Sequence, residues 1–232
     1  MVIERRAVIK ARPPLLPRLK LVVRDVHPVV WRRVKLADSL SIADLHRAIQ
    51  LLVGWDDDHL HGFRIHGRDY GIAHVGGPSF DEDTAAVRLA QFGFRPTDRF
   101  LYEYDFTAGW QVDVRVEKVI EEAPCESHRA TACLAGREPS PPNGCGGPRA
   151  YAERRRDAVS WDTATDMDAV AAVLRRVSDG DDAVLADPET FSDFKQVVTR
   201  LRSRGPFLAE AFPRAAIDAA LRQAFTIVRG SR

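Results

Sequence analysis

FLYEYDFTAGWQVDVRV, Phe100 to Val116, alternates on both sides of a short polar centre, and the fold is read outward from it. Phe100, Tyr102, Tyr104 and Phe106 fall on one face of a first arm, and Trp110, Val112, Val114 and Val116 on one face of a second. With Thr107-Ala108-Gly109 as the turn, Arg99 to Glu122 is predicted to be an antiparallel hairpin with one apolar face. Upstream, LKLVVRDV and HPVVWRRVKL predict two more strands joined near Asp25 to Pro28. Between them and the hairpin lies SIADLHRAIQLLVGW, which predicts a helix. Ser41 is its N-cap, Asp44 completes a capping box, and Gly54 ends it. Ile42, Leu45, Ile49, Leu52 and Val53 repeat at helical spacing, so one face must pack on a sheet.

HLHGFRIHGRDYG, from His59, predicts a strand and a turn before the hairpin. The order strand, strand, helix, strand, hairpin implies an α+β domain, a mostly antiparallel sheet with one packed helix in a β-grasp-like layout. Residues 1–17 form a proline-punctuated lead, and residues 18–152 the α+β domain. Within that domain, 123–148 is a Cys/Pro/Gly-rich stretch without periodicity, expected to be a long irregular loop. Helical patterning at 167–177, 191–202 and 215–228 predicts a helical C-terminal subdomain over 153–232.

The chain has 232 residues, 45% apolar and 29% charged, which suits one sizeable core plus an appendage. Its 34 basic and 33 acidic residues nearly balance, so no overall field draws it to nucleic acid or an anionic membrane. The N-terminus lacks an apolar signal core and no stretch is long enough to span a bilayer, so a cytoplasmic location is expected. Three cysteines between Cys125 and Cys145 make a poor disulfide framework. No P-loop, GxGxxG or GxSxG motif occurs.

HPVVWRRVKL, SIADLHRAIQLLVGWDDDHLHGFRIHGRDYG, LYEYDFTAGWQVDVRVEKV and CLAGREPSPPNGCGGP, in that order, resemble the plasmid pRiA4b ORF-3-like family over residues 18–152. The resemblance implies an α+β fold and no established activity. Relatives carry TnpR-like or resolvase-like labels through association with plasmids and insertion elements. Resolvase chemistry needs an early nucleophilic serine, yet the first serine here is Ser39, in a turn before a helix. Nor do Tyr70, Tyr102, Tyr104 or Tyr151 stand in the Arg/His context of a tyrosine recombinase. The chain also departs from the family pattern: Thr107-Ala108 replaces Gly-Asp after Tyr-Asp-Phe, Val112 replaces a histidine, and Asn143-Gly144 replaces an acidic pair. Those departures argue against an enzyme.

In GWDDDHLHGFRIHG, Gly54 to Gly67, a strand that begins at His59 puts His59 and His61 on one face, roughly 6.5 to 7 Å apart. Two imidazoles so placed suit zinc with a third ligand, Asp105 or Asp56; otherwise they are polar groups satisfied at the rim of a sheet. Asp56 to Asp58 fit a solvated turn, and Asp105 is placed to cap the hairpin turn. Cys125, His128, Cys133 and Cys145 supply the donors of a structural Cys3His zinc site, or else are free thiols. No other cofactor is expected. Arg149, Arg154, Arg155 and Arg156, with Lys195, Arg200, Arg202 and Arg204, are candidate phosphate contacts or a solvated basic face. The leading expectation is a non-enzymatic accessory protein presenting a groove of His59, His61, Tyr104, Asp105, Trp110 and Cys145 to an unknown protein or nucleic-acid partner. The alternative is a metal-dependent hydrolase using His59, His61 and Asp105.

Overall fold

A computed structural model describes residues 15–72, 80, 82–121, 131–208 and 211–225. Its strands are β1 (Leu15–Val23), β2 (Trp31–Lys35), β3 (His61–Ile65), β4 (Arg68–Gly71), β5 (Glu82–Asp83), β6 (Arg99–Tyr104), β7 (Trp110–Glu121) and β8 (Ala132–Arg137). They form one sheet in the order β5-β4-β3-β6-β7-β1-β2-β8, antiparallel except for the short β4–β5 pair. The helices are α1 (Ile42–Val53), α2 (Gly147–Ala158), α3 (Trp161–Ser178), α4 (Pro188–Arg204) and α5 (Arg214–Ala224). The fold is α+β with a helical C-terminal part, as the patterning predicts. Among the described residues, no helix is long and apolar enough to cross a membrane.

The hairpin pairs Tyr104 with Trp110 and Phe100 with Val114, and all four side chains are buried. Asp105 stands at φ 50°, so the first arm stops at Tyr104. Phe106 therefore leaves the core stripe to which alternation assigned it, and is 40% exposed. The Asp105 carboxylate accepts from the Thr107 and Ala108 N–H groups at 3.2 and 3.1 Å, capping the turn as expected.

α1 forms as its punctuation dictates. The Ser41 hydroxyl accepts from Asp44 N–H, the Asp44 carboxylate accepts from Ser41 N–H, and Gly54 closes the helix at φ 72°. Its five periodic apolar side chains are at most 1% exposed, each worth about 1.5–3 kcal/mol of burial. His46 and Gln50, one turn apart, are buried on the same helix, 5% and 4% exposed.

The stretch expected to be an irregular loop instead contains β8, which adds to the edge of β2 in the register Trp31↔Arg137 to Lys35↔Ala132. Ala132, Leu134, Ala135 and Gly136 carry no strand alternation; the open edge of β2 supplies the backbone partners that the local sequence does not announce. β1 likewise starts at Leu15, inside the predicted lead, with a bulge between Arg18 and Leu19. α5 lies over β8 and beside α1: Asp218 accepts from Cys133 N–H at 2.8 Å, and Leu221 is fully buried.

A buried histidine pair as the candidate functional site

α1, the Gly54–Leu60 connection and the adjacent interior strands β3 and β6 converge on one cluster of side chains. His46 from α1 and His61 from β3 stack face to face, with ring centroids 3.4 Å apart and planes 7° from parallel. Tyr102 of β6 reaches both rings, and Asp57, at φ 56°, folds back over α1.

The hydrogen bonds here close a ring whose directions can be assigned. Asp57 N–H donates to Gln50 Oε1 at 3.1 Å, which orients the amide, so Gln50 Nε2 donates to the Tyr102 hydroxyl at 2.7 Å. The hydroxyl then donates to His46 Nδ1 at 2.8 Å, and His46 Nε2 donates to Asp57 Oδ1 at 2.5 Å. Burial holds the His46 pKa below the ordinary value, against the opposing pull of Asp57, and it raises the Tyr102 hydroxyl well above its own.

His61 stands outside that ring. It is 9% exposed, and its Nε2 has no hydrogen-bond partner among the described residues. Burial, reinforced by His46, lowers its pKa to about 4. Both imidazoles are therefore neutral at pH 7. In the metal-free protein the depressed pKa favours the unfolded state on acidification. The unfolded chain takes up the proton near pH 6.5 while the folded one resists until about pH 4. Stability is thus full above about pH 6.5 and falls by roughly 3 kcal/mol as the pH drops to about 4. Urea melts at pH 7 and pH 5 should show about 2 kcal/mol of this loss in the native protein and a smaller one in His61→Leu; equal losses would refute it.

One ring nitrogen each from His46 and His61 and one carboxylate oxygen of Asp57 lie within 4.8 Å of one another, the spread of a metal-ligand set. Of the anticipated trio His59, His61 and Asp105, His61 lies in this cluster, while His59 and Asp105 stand beside each other next to it. β3 begins at His61, so His59 lies before the strand, 40% exposed, with Nε2 at 3.6 Å from both Asp58 and Asp105. Asp56, the other anticipated ligand, accepts from Asn143 Nδ2 at 3.0 Å, as does Asp58 at 3.2 Å. Asp58 also accepts from the Tyr104 hydroxyl at 2.8 Å, and these bonds lower its pKa. Burial and that bond raise the pKa of Tyr104.

The anticipated groove is largely interior. Tyr104, Trp110 and Cys145 are 1%, 2% and 1% exposed; Trp55 stacks on the Tyr104 ring and packs at a tilt against Trp110. The Trp55 indole donates to Pro141 O at 3.2 Å, pinning the 139–146 loop. Cys133 and Cys145 are free and buried, and burial raises both thiol pKa values, which disfavours the thiolates a zinc site needs. Cys125 and His128 lie outside the described residues.

The basic clusters are dispersed. Arg149 pairs with Glu153, Arg155 with Glu138 and Tyr151, and Arg154 lies over Phe207. Arg156 donates to Ala152 O at 3.5 Å. Arg200 and Arg204 both clamp Asp166 at 2.6 Å, and the Lys195 ammonium sits over Phe191. Arg200 and Arg204 thus join α4 to α3 through Asp166.

The sequence reading passed over His46 and Asp57. One signal existed: His46 falls four residues after Ile42 on the buried face of α1, where a polar side chain requires a partner.

Fold and site together define an α+β protein with a polar histidine/aspartate cluster where α1 meets its sheet. The chain belongs to the plasmid pRiA4b ORF-3-like protein family, whose model matches residues 16–187. It is 26% identical over 181 residues to the uncharacterized protein y4hQ of Sinorhizobium fredii (strain NBRC 101917 / NGR234), covering 73% of this chain and 92% of that one. The crystal structure of MM3350, a protein of unknown function from Methanosarcina mazei Go1, is similar at a TM-score of 0.53 and 30% identity. That similarity covers 61% of this chain and 79% of MM3350.

Proposed function

We propose that this protein binds a divalent transition-metal ion of the zinc type through His46, Asp57 and His61. The observation that carries the proposal is His61, whose buried Nε2 has no partner among the described residues and whose ring lies within ligand spacing of His46 and Asp57. An unsatisfied buried acceptor is costly unless something fills it, and a neutral imidazole is the form that ligates a metal. His46 would take up the ion at Nε2 in its other tautomer, with Nδ1 donating to the Tyr102 hydroxyl, which serves as its orienting partner. His46 and His61 would hold the ion once their rings, which stack face to face with centroids 3.4 Å apart, moved out of that stack.

Two histidines and a carboxylate leave a fourth position open, and the Asp57 side chain, 57% exposed, puts that position on the solvent side. An ion so held supplies an acidified water, the chemistry of hydrolytic metal sites. A second reading, an accessory binding protein carried on plasmids or insertion elements, is supported by the uncovered apolar side chains of Val159 and Trp161, 70% and 85% exposed.

Chelator-treated protein titrated with zinc or cobalt(II) should take up one equivalent per chain with a visible cobalt spectrum of nitrogen/oxygen ligation. His61→Ala should weaken binding by about 100-fold or more and Tyr102→Phe by about 10-fold. Cys133→Ser and Cys145→Ser should leave affinity and spectrum unchanged. Absence of binding at about 0.1 mM metal, or loss of binding only in the cysteine variants, would refute the site and leave the accessory reading.

A further inference from the structure

The outward side of α3 carries a seam that the described residues leave uncovered. Ala164, Met167, Ala171, Leu174 and Ser178 follow the spacing 3-4-3-4 and share one stripe of the helix. All five are exposed, Met167 at 49% and Leu174 at 57%. The adjoining side of α3 is the one used internally: Thr163 and Asp166 are buried, Val170, Val173 and Val177 are half-buried, and Asp166 receives Arg200 and Arg204 from α4. α3 is thus apolar on two sides, and its own fold satisfies only one.

We infer that the Ala164–Ser178 seam is the interface of an antiparallel homodimer, formed with the same seam of a second copy of this chain. The occupant is identified by charge. Asp168 and Arg175 directly follow Met167 and Leu174, so they line one edge of the stripe seven residues apart. Among the described residues neither makes an ion pair, and Arg175 donates only to Ala171 O at 3.2 Å. A two-fold axis across the middle of the seam sets Asp168 of each copy beside Arg175 of the other, the self-complementary pattern of an isologous contact. A parallel pair would instead direct these edge charges at Thr163, Val170 and Val177, which are turned into the protein's own helices.

The small side chains Ala164, Ala171 and Ser178 let the two helices approach closely, with Met167 and Leu174 as knobs. The seam is short, about 21 Å at 1.5 Å per residue, so the interface lies at or below the roughly 1,200 Å² where transient complexes begin. Its Kd is therefore expected on the order of 10 µM.

Sedimentation velocity of the full chain from about 1 to about 500 µM tests this directly. The expected result is a concentration-dependent shift from the 25.9 kDa monomer to a dimer. Leu174→Asp should weaken it by at least about tenfold while circular dichroism stays unchanged, because Leu174 is exposed. Asp168→Arg should weaken it too, and adding Arg175→Asp should restore it by exchanging the two charges. A single 25.9 kDa species at every concentration, or a dimer indifferent to Leu174→Asp, overturns the inference. Failure of the double charge exchange to rescue overturns the antiparallel arrangement.

Discussion

Arg32→Ala is expected to destabilise the protein by about 5 kcal/mol, the largest effect of any single substitution considered. The Arg32 side chain is 1% exposed, and its guanidinium is held by four acceptors from separate parts of the chain. Nε donates to Leu52 O at 2.8 Å, Nη1 to Trp31 O and Arg137 O at 2.8 Å each, and Nη2 to the Ser140 hydroxyl at 2.6 Å. The Phe212 ring lies 4.1 Å from the guanidinium carbon. No carboxylate is among these partners; burial lowers the Arg32 pKa to about 10, so desolvation offsets part of what the bonds contribute. Alanine leaves a cavity and strips a partner from four polar groups, each about 1–3 kcal/mol to leave unmet. Urea unfolding measures the loss, and Arg32→Lys should recover little of it, since one ammonium cannot span the fork. A loss below about 1 kcal/mol would show that water replaces the guanidinium. Because Leu52 lies in the last turn of the helix that leads into Gly54–Asp57, the same substitution should also weaken any metal binding at the proposed site.

Gly147→Ala is expected to destabilise by about 4 kcal/mol. Gly147 has φ 92°, and an added Cβ would lie 2.1 Å from the carbonyl oxygen of Ala108, a backbone atom at the hairpin tip. Left-handed strain accounts for about 1–2 kcal/mol and the forced separation of two backbone segments for the remainder. Gly144→Ala is the internal control: its φ is 66°, with open space where the Cβ would go, so only strain of about 1 kcal/mol is expected. At about 2–4 °C per kcal/mol, the Gly147 variant should melt roughly 10 °C below the native protein and the Gly144 variant only a few degrees below. Equal shifts would show that the contact with Ala108 carries no weight.

Some elements could be read directly from the residues because their determinants are local. α1 is written in Ser41, Asp44, Gly54 and a periodic apolar face, and the hairpin in strict alternation around Asp105 to Gly109. β8 could not be, because an edge strand of small residues takes its conformation from β2. Phe106 was misplaced because alternation assumes an unbroken strand, and one left-handed residue, Asp105, ends it.

The candidate site divides along the same line. His61 was visible as an imidazole next to an apolar stripe, but its companions come from a helix fifteen residues upstream and from the middle of an acidic turn. Three adjacent aspartates look alike in sequence. The structure sends Asp57 to His46 and Asp56 and Asp58 to Asn143, because a positive φ at Asp57 turns its side chain the other way.

By itself, then, the sequence determined the α+β class, the capped helix, the hairpin and the family, all of which rest on neighbours within a few residues or on motifs in fixed order. Tertiary structure alone decided which polar groups meet. Hydrogen bonding and burial act between atoms that the sheet and α1 bring together from 42 residues to 104, and no spacing rule along the chain encodes that distance.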